Sequence, residues 1–395
     1  MKYNFDELID RRGTSAIKLE GVPEFWGRTD LIPLWVADMD FATAPFVTEA
    51  IRKRCENPVL GYTSKPESYY RAIMDWNKVR YGLEVEREAI NFVPGIVPGI
   101  GMALNAFTGE GDKVMIQPPV YGPFEWLNTR NGRILVTHPL KLVDGMYRMD
   151  MDTFRKQVQG CKVFILCNPH NPGGVVWTEE ELRQVADICH EEGVLVFSDE
   201  IHADLTLPPH KHRPFASISE KARMNSVTFM SPSKAFNMPG LTASHALIFN
   251  PKLRRKFRRF MESCEFDLGH VFAFLAVEAA YSHGTEWLDQ CLAYIQGNID
   301  YVDAFTREHT PKIKAIRPEA SFLVWLDCRD MGLPQEALVD FFVDKAHLAL
   351  NDGTSFGKEG EGFMRLNVAS PRSVLEQAMK QLAEAYADTI SPCEE

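Results

Sequence analysis

Three apolar runs in the middle of the chain each stop at a polar turn. Residues 162–167 lead into Asn168-Pro-His-Asn171-Pro-Gly-Gly174, residues 194–197 into Ser198-Asp-Glu-Ile-His202, and residues 226–230 into Ser231-Pro-Ser-Lys234. The runs are short and rich in β-branched and aromatic residues, so each reads as a buried strand of a parallel sheet. Between the first two, Thr178 and Glu181 form a capping box. Leu182, Val185, Ala186 and Cys189 follow at helical spacing, and Gly193 ends the helix. This is a β-α-β unit with a right-handed crossover. Runs at 113–116, 133–136 and 245–249 extend the same sheet. Ligands of open α/β sheets bind beyond the carboxyl ends of the strands, so the three turns should share one cleft. An Asp, a Lys and small hydroxyl residues at strand ends are what a pyridoxal phosphate site requires.

The residue types suggest roles, each with a plainer rival. Lys234 follows a buried strand in a mostly uncharged segment, which favours a nucleophilic amine that would carry the cofactor as a Schiff base; the rival is a solvated surface lysine. Asp199 would face a protonated pyridine nitrogen, or else cap a helix. Asn171 and His202 would bond the ring's phenolic oxygen, or else be a turn residue and a core histidine. Gly95-Ile-Val-Pro-Gly-Ile-Gly101 opens a helix whose free N–H groups would hold a phosphate, with hydroxyls from Ser231 and Ser233. It lacks the third glycine of a dinucleotide fingerprint. Tyr121 would stack on a flat ring, or pack as an ordinary loop aromatic. Arg365 would clamp a substrate carboxylate, or form a structural ion pair. His210 and His212 lack a Cys or carboxylate at ligand spacing, so they read as a solvated loop and no metal is expected. The basic run 252–259 reads as the wet face of a helix.

The length of 395 residues allows two domains. We expect an N-terminal arm over 1–45, a large cofactor-binding domain over 46–285 and a smaller α+β domain over 286–395. The last begins with a long helix carrying Leu288, Leu292, Ile295, Ile299 and Val302 on one face. Strands at 321–326 and 362–367 follow, then a helix capped by Ser370 with Pro371 in its first turn. A net charge of −11 argues against nucleic acid and anionic membranes. The N-terminus has no apolar signal core, and eight scattered cysteines without a Cys-x-x-Cys pair suit a reducing cytoplasm.

With these residues in place, the chain resembles the fold-type I pyridoxal phosphate enzymes of the aspartate aminotransferase superfamily. More narrowly it resembles the MalY/PatB class of cystathionine β-lyases. The broad marks are Asn171-Pro-Gly-Gly, Asp199 with His202, and Ser231-x-x-Lys234. The narrow ones are Leu34-Trp-Val-Ala-Asp-Met-Asp-Phe41, Asp199-Glu-Ile-His-Ala-Asp-Leu205, His212-x-Pro-Phe-Ala-Ser217 and Lys234-x-Phe-Asn-x-Pro-Gly-Leu241. The likeness runs from about residue 30 to the end. It implies an α/β fold with a mostly parallel sheet in the large domain. It implies that Lys234 binds the cofactor and shuttles protons, assisted by Asp199 and Tyr121. The Ile96 and Val97 backbone with Ser231 would hold the phosphate, and Arg365 with Asn171 the substrate. Tyr62 would reach the partner's phosphate in a homodimer. Relatives that transfer amino groups usually carry Tyr where His202 stands, and many carry Arg where Thr242 stands. The expected reaction is α,β-elimination of L-cystathionine or related cysteine S-conjugates. The alternatives are an aminotransferase using the same site and a catalytically idle regulatory protein.

Overall fold

The computed structural model describes residues 2–390. A seven-stranded sheet is built, in chain order, from β1 (Ile90–Val93), β2 (Lys113–Ile116), β3 (Ile134–Thr137), β4 (Cys161–Cys167), β5 (Leu195–Asp199), β6 (Ser226–Met230) and β7 (Ser244–Leu247). Their order across the sheet is β1-β7-β6-β5-β4-β2-β3. Every neighbouring pair from β6 to β3 is parallel. β7 runs antiparallel to both β6 and β1. Residues of β5 and β6 are buried throughout, as the unbroken apolar runs require. β1 was not foreseen. Asn91 interrupts its apolar run, and its place depends on pairing with β7, which is distant in sequence.

Of four helices, α1 (Ile96–Phe107) reaches the site, while α2 (Glu179–Glu191), α3 (Thr285–His309) and α4 (Arg372–Ile390) do not line it. The capping box at Thr178 and Glu181 is present, and Leu182, Val185, Ala186 and Cys189 of α2 are buried. Leu182 and Val185 each contribute about 1.5–3 kcal/mol by leaving water. α1 packs so close to the sheet that a Cβ on Gly99 would lie 3.0 Å from Val93, so that glycine serves helix packing.

A second, four-stranded sheet follows α3. Its strands are β8 (Lys314–Ile316), β9 (Leu323–Asp327), β10 (Asn351–Asp352) and β11 (Phe363–Asn367), in the antiparallel order β8-β9-β11-β10. The N-terminal residues pack against it, with Ile32–Pro33 pairing in parallel with Leu348–Ala349. Ser370 does not cap α4. Its hydroxyl bonds Asp40 at 2.5 Å, and the Arg372 N–H donates to the Tyr294 hydroxyl instead. Cys393 lies outside the described residues; the other seven cysteines are free thiols. Among the described residues no helix is long and apolar enough to cross a membrane.

Candidate active site

The carboxyl ends of β4, β5 and β6 meet the start of α1 around a cavity of about 290 Å³. Asn171, Asp199, His202, Ser233, Lys234, Tyr121, Ile96 and Val97 all line it. The strand-end turns therefore converge as expected.

Gly95 leads into α1 with φ +133°, a conformation that favours glycine. Pro98 has no N–H, so Ile96 and Val97 supply the free donors of the first turn, and the helix dipole adds a positive field. Thr242, at φ +45°, and Ser233 line the same cavity. Ser231 does not. Its hydroxyl donates to the Ala243 carbonyl at 2.7 Å and accepts from the Ser233 N–H at 3.1 Å, so it shapes the turn that presents Ser233.

Asp199 is buried and has no ion-pair partner among the described residues. Burial, with the adjacent Glu200, raises its pKa from 3.8 to about 7. Its carboxylate accepts the Ile201 N–H at 3.1 Å, and only a single short turn, Ala203–Leu205, follows. It caps no long helix. A buried carboxyl of this kind suits a ligand that brings its own N–H⁺. His202 is buried and held neutral, its pKa lowered to about 3 by burial and then by Lys234 and Arg365. Its Nδ1 has no partner. A satisfied core histidine would have one; this ring has hydrogen-bonding capacity left for a ligand oxygen.

Lys234 is partly buried at the cavity wall, and desolvation lowers its pKa to about 8. Its Nζ donates to the Ala37 carbonyl at 2.6 Å. That contact explains the Leu34–Phe41 stretch, for which residue types alone supplied no role. The stretch is pinned from two sides. Asn237, three residues past the lysine and at φ +51°, accepts the Met39 N–H and donates to the Met39 and Phe41 carbonyls. Asn367 of β11 donates to the Val36 and Asp38 carbonyls at 2.7 Å each. Buried Lys18 and partly buried Arg11 neutralise Asp38 and Asp40. Neither cation was legible in sequence, since no local motif announces a partner some twenty residues away.

Arg365 lies behind Asn171. Nη1 donates to Asn171 Oδ1 at 3.3 Å, Nη2 donates to Asn351 Oδ1 at 2.5 Å and to the Trp35 carbonyl at 3.0 Å, and Nε has no partner. The guanidinium rests 4.8 Å from the Phe356 ring centre. No carboxylate pairs with it among the described residues, so the structural ion pair is absent. Burial lowers its pKa to about 10, leaving it cationic at neutral pH. The Asn171 turn is fixed to the second-sheet side through Gly174. Its carbonyl accepts from Glu319 and Ala320 N–H, and a Cβ there would lie 2.4 Å from Pro318.

The loop reading fails for one of the two histidines. His212 is no solvated loop residue. It is buried, with Nε2 2.8 Å from Glu200 Oε2. His210 remains partly exposed near Glu319. Tyr62 lies outside the cavity and is fully exposed.

A family model described as aminotransferase class I and II matches residues 29–382. The chain belongs to this family. It is 41% identical over 386 residues to a protein named cystathionine beta-lyase PatB from Bacillus subtilis, covering 97% of this chain and all of the relative. A solved pyridoxal phosphate-bound structure described as a putative aminotransferase from Clostridium difficile superposes with a TM-score of 0.96 at 39% identity, covering 98% of this chain and all of that one. A pyridoxal phosphate-bound C–S lyase from Staphylococcus hominis gives 0.92 at 35% identity, covering 98% and 99%. The fold is the aspartate aminotransferase-like fold of type I pyridoxal phosphate enzymes. The cavity fits that cofactor by its donor set. It offers an amine, a carboxyl without a countercharge, a neutral imidazole with a free nitrogen, and helix N–H groups for a phosphate.

Proposed function

We propose that this family member is a pyridoxal phosphate-dependent β-lyase. It cleaves the carbon–sulfur bond of L-cystathionine or related cysteine S-conjugates to a thiol, pyruvate and ammonia. One observation carries the reading: the desolvated Lys234 amine and the buried Asp199 carboxyl line one cavity with Asn171, which Arg365, a cation without a carboxylate partner among the described residues, holds from behind. The lyase rather than the transferase reading draws on the relatives named for that reaction.

Pyridoxal phosphate, when bound, supplies the electron sink that makes the substrate's Cα proton acidic. Lys234 would hold it covalently. Asp199 would face the pyridine nitrogen, and Asn171 and His202 the phenolic oxygen. The Ile96 and Val97 N–H groups with Ser233 would take the phosphate, and Tyr121 would pack on the ring. Arg365 orients the substrate through its carboxylate, beside Asn171. Lys234, once its nitrogen is free, takes the Cα proton as general base. Its low pKa keeps a usable fraction neutral near pH 8. The sulfur leaves Cβ with the bonding electron pair and is protonated by Lys234, and the released enamine hydrolyses to pyruvate and ammonium. Purified protein with added cofactor and L-cystathionine is expected to release pyruvate, ammonium and homocysteine in equal amounts. A stoichiometric requirement for a keto acid would instead assign amino-group transfer, the reaction suggested by the description of the C. difficile structure.

The chain is proposed to work as a homodimer that presents Tyr62 to its partner's phosphate. Val59, Leu60 and Tyr62 form a run of exposed apolar side chains on one segment, a surface suited to burial in an interface. Light scattering is expected to give the mass of two chains. A fully active monomer would rule this out.

A further inference from the structure

Glu200 follows Asp199 directly, is 1% exposed and has no part in the chemistry above. Three donors occupy its carboxyl. Oε1 accepts from the Ser198 hydroxyl and the Phe215 N–H, both at 2.8 Å, and Oε2 lies 2.8 Å from His212 Nε2. Three donors suit an ionised carboxylate, and a buried anion needs a countercharge. His212 is the basic group in contact, and its side chain is 1% exposed. The Phe215 contact also explains the His212-x-Pro-Phe-Ala-Ser217 stretch. Those residues reach Glu200 through His212 and the Phe215 N–H, and none of them lines the cavity.

The surroundings make this pair the adjustable part of the field on Asp199. Asp199 itself faces Glu200, Lys234, Tyr121 and Cys167. His212 faces Glu200 and packs edge-on against Tyr81 at 5.4 Å between ring centres. Tyr81 and Trp76 both donate to Asp204, a buried carboxyl whose pKa burial raises against the opposing pull of Tyr81, Arg80, Trp76 and His212. Arg80, His210, Lys211 and Arg213 share a surface cavity with His212. We propose that Glu200 and His212 are a buried ion pair that positions Asp199 and balances the charge it feels. Glu200 strengthens the hold of Asp199 on the ring-nitrogen proton, and His212 limits that effect. The inference rests on the reading of the cavity as a pyridoxal phosphate site.

The test is a pH titration of the visible absorbance of the lysine-bound cofactor, without substrate. It compares wild type, Glu200→Gln, His212→Gln and the double variant. The absorbance follows loss of a proton from the Lys234 nitrogen, and removing a nearby anion disfavours the cation. Glu200→Gln is expected to lower the midpoint by about one pH unit, and His212→Gln to raise it by about as much, the size of a unit charge several ångströms away. The double variant, neutral like the pair, should return close to wild type. A purely structural role would lower the melting temperature and leave the midpoints together. Unmoved midpoints, or shifts of one sign in both single variants, overturn the proposal. If one single variant does not fold, the other single variant and the double decide. In that case, midpoints equal to wild type in both overturn it. Wild type that bound no cofactor would overturn the proposed function and this inference with it; cofactor-loaded wild type with unmoved variants overturns the pair alone.

Discussion

Lys234→Ala is expected to reduce pyruvate release from L-cystathionine by more than about 10³-fold, because a positioned acid–base group alone contributes about 10²–10⁴. The same substitution removes the amine that would tether the cofactor, so the visible absorbance of the lysine-bound form should be lost as well. Pyruvate release at the wild-type rate would remove Lys234 from the chemistry. Stability is expected to move the other way. In the folded chain the Lys234 pKa is about 8, against an ordinary 10.5, because burial disfavours its charged form. Between those values the unfolded chain binds the proton and the folded chain does not, so stability rises with pH across that window. Below pH 8 the full penalty applies, about 3 kcal/mol at 1.36 kcal/mol per pH unit. Cofactor-free Lys234→Ala should therefore melt above cofactor-free wild type at pH 7, after deducting the lost bond to Ala37. That advantage should disappear near pH 10.5. A variant less stable at pH 7 and equally stable at high pH would contradict the burial argument.

Arg365→Ala has the second largest expected effect. A buried cation that meets a substrate carboxylate is worth about 2–5 kcal/mol when truncated, so kcat/KM should fall about 10²–10³-fold, chiefly through KM. Arg365→Lys keeps the charge but loses the planar fork, and should recover only part of the loss. In contrast to a residue paired with an acid, Arg365 leaves no stranded carboxylate behind when removed. Its melting temperature should fall only by what three hydrogen bonds to Asn171, Asn351 and Trp35 contribute. An unchanged KM would assign Arg365 to structure alone.

What was legible in the sequence follows from range. The turns bearing Asn171, Asp199 and Lys234 were readable because each ends a continuous apolar run, and parallel strands deliver their ends to one edge. The capping box at Thr178 and Glu181 was readable because both partners lie within one helical turn. His212 was misread because Pro-Pro-His-Lys-His-Arg looks wet locally, while its burial is decided by Glu200 twelve residues earlier. Ser370 carries a capping residue type, but Asp40 competes for its hydroxyl from the far end of the chain. Ser231 sits at the right strand end, yet a backbone carbonyl at Ala243 turns its hydroxyl away. The carbonyl of Ala37 could not be found from residue type at all, because a backbone oxygen has no side-chain signature.

The double pinning of residues 34–41 also dictates when the site can exist. Asn237 and Asn367 hold that stretch from opposite directions, and Asn367 lies in the last strand of the chain. A nascent chain that has emerged through β7 can form the large sheet and bury Lys234 near it. It still lacks the residue that fixes the Ala37 carbonyl over the amine. Contacts spanning some 330 residues close late, since their loop entropy must be met before they contribute. The reactive lysine therefore stays without its finished surroundings until synthesis is nearly complete, and the chain acquires its chemistry as one of the final acts of folding.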